Sequence, residues 1–209
     1  MAKISNPATT EVDAYIFIKE RLRALEWDTR NPARILTGQV YTQNECFSHP
    51  EIKRLLVLDR PENVIKVTET RFWIIEAKRS HSQLSQAIGE AENYAKKINE
   101  SRKIKAVFVS GVAGNESDSF LIRTRFYNGT MFVPVRINGQ DTTGLLSPKD
   151  CDTILQTANP DITNPPINEA LFISRAEHIN EILHLGAVNP HHRASVMAAL
   201  LLSKLGSTG

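Results

Sequence analysis

Apolar and polar residues alternate along this chain in two rhythms, and the change from one to the other marks its elements. Val12, Tyr15, Ile16, Ile18, Leu22 and Leu25 recur at three-and-four spacing, which predicts a helix over 11–26 with Thr9 or Thr10 as its cap. Asn31-Pro32 interrupts the chain before a strand-like stretch at 34–41, and His49-Pro50 leads into a short helix at 51–58. The rhythm then shortens to two, predicting strands at 63–68 and 72–78. A helix at 81–99 follows, with Leu84, Ala87, Ile88, Ala91, Ala95 and Ile98 on one stripe. Further strands are predicted at 103–110, 119–127 and 131–137, the last two joined by Asn128-Gly129, a strong hairpin signal. Gly111 and Gly114 lack the spacing of a phosphate-binding loop and are read as a turn.

Beyond Gly144 the pattern becomes purely helical. Ser147-Pro148 opens a helix to about residue 157, a Pro-rich linker covers 159–166, and helices are predicted at 168–185 and 191–205. The division expected from this is an α/β domain over 1–145 and an all-α extension over 146–209.

Composition narrows the classes. A chain of 209 residues with 41% hydrophobic and 23% charged residues suits a globular fold with a real core. The net charge is only +2, from 25 basic and 23 acidic side chains, so affinity for nucleic acid has to come from local clustering. Cys46 and Cys151 show neither metal spacing nor a disulfide pattern, and no segment approaches a membrane span or signal peptide. The location expected is cytoplasmic.

Candidate chemistry gathers at Phe72-Trp73-Ile74-Ile75-Glu76-Ala77-Lys78-Arg79. On a strand, Phe72, Ile74, Glu76 and Lys78 share one face, and Trp73, Ile75 and Ala77 share the other. Charges at the end of a buried strand need a partner or a metal, and ligand sites gather outside the carboxyl ends of strands. Upstream, Arg60-Pro61-Glu62-Asn63 turns into the preceding strand, so a hairpin brings Glu62 beside Glu76. Two carboxylates with the backbone carbonyl of Ala77 form an oxygen cage of the kind Mg²⁺ accepts. Lys78 then faces an anionic substrate, and the residues alone point to metal-dependent phosphodiester cleavage.

Pro61-Glu62 followed by Glu76-Ala77-Lys78 resembles the signature of the PD-(D/E)xK nuclease superfamily. The likeness is to the N-terminal nuclease domain of type I restriction subunits and of fused restriction-modification enzymes. Glu90-Ala91-Glu92-Asn93-Tyr94 matches the Gln/Glu-x-x-x-Tyr element of that group, and Thr10-Glu11 and Trp27-Asp28 resemble its opening helix and exit. The resemblance spans 9–136. It implies an α/β fold, a restriction-endonuclease-like mixed sheet flanked by helices, with a C-terminal all-α extension. It also implies a Mg²⁺-dependent, or Mn²⁺-dependent, site-specific endodeoxyribonuclease. Glu62, Glu76 and Lys78 are the catalytic set, with Glu62, Glu76 and the Ala77 carbonyl on the metal and Glu11, Gln83, Glu90 and Tyr94 in support. Double-stranded DNA is the implied substrate. The apolar helical tail resembles the connector to an adenine-specific methyltransferase or specificity region, which would be the second partner.

The family usually carries Asp after the proline where this chain has Glu62, with Asp59 as a fallback ligand. The alternative reading is therefore a weak or inactive DNA-binding module of a methyltransferase. Glu11 also suits a helix N-terminus on dipole grounds, and Gln83, Glu90 and Tyr94 also suit a polar helix flank. Lys103, Lys105, Arg123 and Arg125 are read as phosphate contacts or solvated surface. Asn164-Pro165-Pro166-Ile167 lacks a stacking aromatic and a Gly-rich loop, so no S-adenosylmethionine site is expected, and His184, His191 and His192 lack ligand partners at metal spacing.

Overall fold

The computed structural model describes residues 11–115, 118–163, 169–186, 189, 192, 193, 195, 196, 198 and 199, with backbone alone for 11, 12, 169–175 and 185. The chain divides into two compact units, Met1–Ile162 and Thr163–Gly209.

The first unit opens with α1 (Glu11–Ala24), β1 (Val40–Thr42) and α2 (Pro50–Leu56). β2 (Asn63–Lys66), β3 (Arg71–Lys78), α3 (Leu84–Asn99), β4 (Lys105–Asn115), β5 (Ser119–Tyr127) and β6 (Phe132–Pro134) follow. Strands β1 to β6 lie in chain order in one six-stranded sheet. Neighbours are antiparallel except β3 and β4, which are parallel and are connected through α3. The coarse expectation of a mixed sheet flanked by helices is met.

β3 is central because both of its faces are apolar. Trp73, Ile75 and Ala77 pack with Ala14, Ile18 and Leu22 of α1. Phe72 and Ile74 pack with Ile88, Ala91, Ala95 and Ile98 of α3 and Ile52 and Leu56 of α2. The expected alternation of β3 faces is thus observed, and it assigns Glu76 and Lys78 to the α3 side. A buried polar chain crosses the sheet: Trp73 Nε1 donates to Ser110 Oγ at 3.0 Å, Ser110 and Thr124 hydroxyls lie 2.7 Å apart, and Thr124 donates to the Gly144 carbonyl at 3.1 Å.

Four expectations are corrected. The strand at 34–41 is reduced to Val40–Thr42. The preceding segment satisfies itself locally instead, with Asn31 Oδ1 accepting from Ala33 N at 2.8 Å and Thr37 donating to Asp28 at 2.9 Å. Gly111 and Gly114 are not a turn, because β4 continues through both to Asn115. Gly111 is small because α3 lies on it, where a Cβ would come within 2.7 Å of the Ile88 nitrogen. Gly114 takes φ +138°, and a Cβ there would meet the Ser119 carbonyl at 2.2 Å. The strand at 131–137 divides at Val135: β7 (Arg136–Ile137) leaves the main sheet to pair with β8 (Gln140–Asp141) and β9 (Asp161–Ile162).

The fourth correction is the boundary at 145. Leu145, Leu146, Cys151, Ile154 and Ile162 belong to the same apolar cluster as Trp73 and α1, and Trp27 Nε1 donates to the Leu146 carbonyl at 2.8 Å. The helix carrying two of them, α4 (Pro148–Thr157), starts where expected, with Ser147 and Asp150 forming a reciprocal capping box. The first unit therefore runs to Ile162. In the second unit the helix expected at 168–185 is observed as α5 (Glu169–Leu185). Asn164 to Ile167 and His191 lie outside the described residues.

Candidate functional site

The antiparallel register of β2 on β3 opposes Asn63 to Ile75. One residue further out, this places the Glu62 backbone against the Glu76 side chain, and Glu62 N donates to Glu76 Oε2 at 3.3 Å. Both glutamates are buried, 8% and 7% exposed, at the open end of a sheet whose interior is apolar. Lys78 Nζ lies 3.4 Å from Glu76 Oε1 and 2.6 Å from Glu90 Oε2. The hairpin and strand-face expectations for Glu62, Glu76 and Lys78 therefore bring them together, and Glu90 joins them from α3. Ala77 lies between Glu76 and Lys78, in register with Val112 of β4.

Close approach of α3 is what puts Glu90 within reach. Gly111 is the register partner of Glu76 and lies under Ile88, so the helix lies close to the sheet near the point where the acidic residues meet. Gln86 Nε2 donates to Glu90 Oε1 at 2.9 Å, and Gln83 Nε2 lies 3.4 Å from Gln86 Oε1. Among the described residues Gln83 thus connects to Lys78 through Gln86 and Glu90. Tyr94 is half-buried on the same helix, and its phenol pKa is raised by burial, then by the charges of Glu76, Glu90 and Asp59.

Burial dominates the electrostatics of the site. It pushes the Glu76 carboxyl up to about 7, with Lys78 opposing and the Glu62 and Glu90 charges adding to the rise. Burial works against the Lys78 ammonium, but the hydrogen bond to Glu90 and the Glu76 and Glu90 charges hold its pKa above the ordinary lysine value. Glu90 moves the other way: burial is outweighed by its contacts with Lys78 and Gln86, and its pKa is lowered. Two neighbouring carboxyls are therefore driven apart in proton affinity, a pattern typical of functional sites.

Some expectations fall elsewhere. Asp59 is ion-paired with Lys97. Lys103 pairs with Glu51 at 3.2 Å, Lys105 donates to the Asn99 carbonyl at 2.5 Å, and Arg125 pairs with Glu92 at 2.6 Å, so these three cations hold α3 and its neighbours together. Arg123 is exposed. Glu11 is the first residue of α1, and its side chain lies outside the described residues.

Other residues at the site had no sequence signal. Gln43 Nε2 donates to Glu62 Oε2 at 2.7 Å from the turn after β1, a contact no motif announces. Tyr15 of α1 has its phenol pKa raised by burial, then by Glu45 and Glu62, which ties α1 to the same carboxylates. Asn63 is 2% exposed, and among the described residues its Oδ1 has no hydrogen-bond partner. A buried acceptor without a donor costs about 1–3 kcal/mol, and this one lies beside Glu62.

Among the described residues no group of three or more His, Cys, Asp or Glu side chains is arranged to hold a metal. The donor set still suits a hard dication of the Mg²⁺ type, which takes one or two carboxylates and completes its shell with water and phosphate oxygens. The charges of Glu62 and Glu90 act on Glu76 beside the Lys78 ammonium, a setting that favours a cation at a pH where Glu76 ionises. Comparison of the chain with family models, with curated proteins and with solved structures returned no match.

Proposed function

We propose that this protein is a divalent-metal-dependent DNA endonuclease of the PD-(D/E)xK type, belonging to a restriction-modification system. The observation that carries this reading is the meeting of Glu62, Glu76 and Lys78 at the end of β3, with Lys78 3.4 Å from Glu76. Bound Mg²⁺ or Mn²⁺ supplies an acidified water and neutralises charge on the phosphoryl oxygen. Glu62 and Glu76, with the Ala77 carbonyl, would provide oxygens for such an ion. Gln43 fixes the Glu62 carboxylate by its hydrogen bond. Lys78, oriented by Glu90 at 2.6 Å, presents its ammonium to the scissile phosphate or the attacking water. Double-stranded DNA is the substrate, and an adenine-specific methyltransferase or specificity region is the partner.

A second reading has one observation in its favour. The described residues contain no three-membered group of metal-binding side chains, which suits a DNA-binding module that has kept the arrangement without the chemistry. Calorimetric titration with Mn²⁺ at pH 8, paired with supercoiled-plasmid cleavage, separates the two. An endonuclease binds Mn²⁺ and nicks plasmid, and Glu76→Ala loses both. If the native chain takes up no Mn²⁺ and leaves plasmid intact while still binding DNA, the module reading holds instead.

A further inference from the structure

A groove rich in basic side chains lies on the α1 side of the sheet, near Glu62. The groove holds about 400 Å³ and is lined by Tyr15, Lys19 and Arg23 of α1, Arg30 and Arg34 of the following loop, and Glu45. Its wall comes near Glu62, whose charge acts on Tyr15. Thr42 is on its wall; this residue is the register partner of Asn63, the neighbour of Glu62, and directly precedes Gln43, which binds Glu62.

The cations are arranged rather than scattered. Tyr15, Lys19 and Arg23 recur every fourth residue, one stripe beside the buried stripe Ala14, Ile18 and Leu22. Burying that apolar stripe against β3 turns the basic one into the groove. Arg30 is fixed by Asp28, with Nε–Oδ1 at 2.8 Å and Nη2–Oδ2 at 2.5 Å, and by Thr37 at 2.9 Å. Arg34 is 77% exposed and, among the described residues, its ion pair is the 3.9 Å contact with Glu45. Among the described residues no ion pair engages Lys19 or Arg23. Four cations face the carboxylates of Glu45 and Asp28, so this one groove carries a local excess equal to that of the whole chain, +2.

We infer that this groove is a phosphate track: Lys19, Arg23, Arg30 and Arg34 hold the backbone of duplex DNA flanking the scissile position and lead it to Glu62 and Glu76. The stripe from Tyr15 to Arg23 extends about 12 Å at 1.5 Å per residue, and B-DNA carries a charge about every 3.4 Å per strand. The length therefore matches about three to four consecutive phosphates. Phosphate contacts set position and carry no base information, so the track fixes where DNA lies and leaves sequence choice to other contacts.

This inference rests on the nuclease reading for the role of the centre, but its test reads binding alone. Fluorescence anisotropy of a 20-base-pair duplex, in EDTA over 50–200 mM salt, is compared for the native chain, Lys19→Gln/Arg23→Gln, Arg34→Gln and a control, Arg102→Gln/Lys149→Gln, whose cations are exposed and lie outside the groove. Each phosphate contact contributes about 0.9 to the slope of log K against log salt. The α1 pair is expected to lower the slope by about 2 and weaken binding at least tenfold at 100 mM salt, Arg34→Gln to lower it by about 1, and the control to leave it unchanged. Thermal melts matched to the native chain confirm that the variants fold. Equal slopes in groove and control variants, or poly-glutamate displacing the duplex as well as unlabelled DNA does, overturns the track. Loss of slope with no Mn²⁺ uptake by the native chain keeps the track and removes the endonuclease. Mn²⁺ uptake with unchanged slopes does the reverse.

Discussion

Glu76 concentrates the physical tension of this protein in one carboxyl. Its pKa is about 7 when folded against a reference of 4.5, because burial, assisted by Glu62 and Glu90, penalises the anion. The sign follows directly. The folded state holds this proton more tightly than the unfolded state, so the associated stability is complete below pH 4.5 and is lost as pH rises through 7. At about 1.4 kcal/mol per pH unit, the loss amounts to about 3 kcal/mol. Glu76→Gln, which cannot ionise, is expected to match the native chain in urea unfolding near pH 4.5 and to exceed it by up to about 3 kcal/mol at pH 8. A native chain whose stability changes no more than that of the glutamine variant across this range contradicts the buried-acid account. The same proton competes with a cation, so Mn²⁺ affinity is expected to fall about tenfold for each pH unit below 7, as titrations at pH 6 and 8 would reveal.

At the scale of elements, one contact surface governs the site: α3 lying on β4. Gly111 makes it possible, since any side chain there meets the backbone of Ile88. Gly111→Ala is expected to destabilise the fold by about 1–3 kcal/mol through overpacking. It should also draw Glu90 away from Lys78 and weaken Mn²⁺ binding, whereas Gly89→Ala, with open space around it, should do neither. Denaturant midpoints and calorimetry on the two variants provide the comparison. The buried chain from Trp73 through Ser110 and Thr124 is a second constraint on the same strands. Ser110→Ala leaves the Trp73 N–H without its acceptor, at an expected cost of about 1–3 kcal/mol in urea unfolding. At this scale much was legible in the sequence. The helical stripe of α3 and the two-residue alternation of β3 were visible because each has an unbroken period. Gly111 does not read as a strand residue, because a glycine demanded by a helix crossing above it has the same sequence signature as one demanded by a turn.

At the scale of the molecule, the relevant limit is Ile162. A chain ending at 145 loses Leu146, Cys151, Ile154 and Ile162 from the cluster that carries Trp73 and α1, and with Leu146 goes the acceptor of the Trp27 indole. A fragment of residues 1–162 is expected to melt in one cooperative transition by circular dichroism, and 1–145 to lack one. Equal cooperativity in both would mean that α4 is dispensable to the core. The boundary is not legible in the sequence because the change from mixed to helical pattern at Gly144 marks a change of local structure. Whether a helix belongs to a core depends on what its apolar face meets, and that partner lies more than a hundred residues away.

The sequence by itself determined the unbroken periods: the helical stripe of α3, the alternation of β3 that puts Glu76 and Lys78 on one face, and the turn at Asn128-Gly129 that closes a hairpin. These are short-range properties, set by backbone sterics and by the burial of nearby apolar side chains. Tertiary structure alone decided that Glu90 reaches Lys78 while Asp59 pairs with Lys97, that Gln43 secures Glu62, and that Lys19 and Arg23 line a groove near Glu62. Those outcomes depend on how elements distant in sequence pack, and on the low dielectric their packing creates, neither of which is written at any single position.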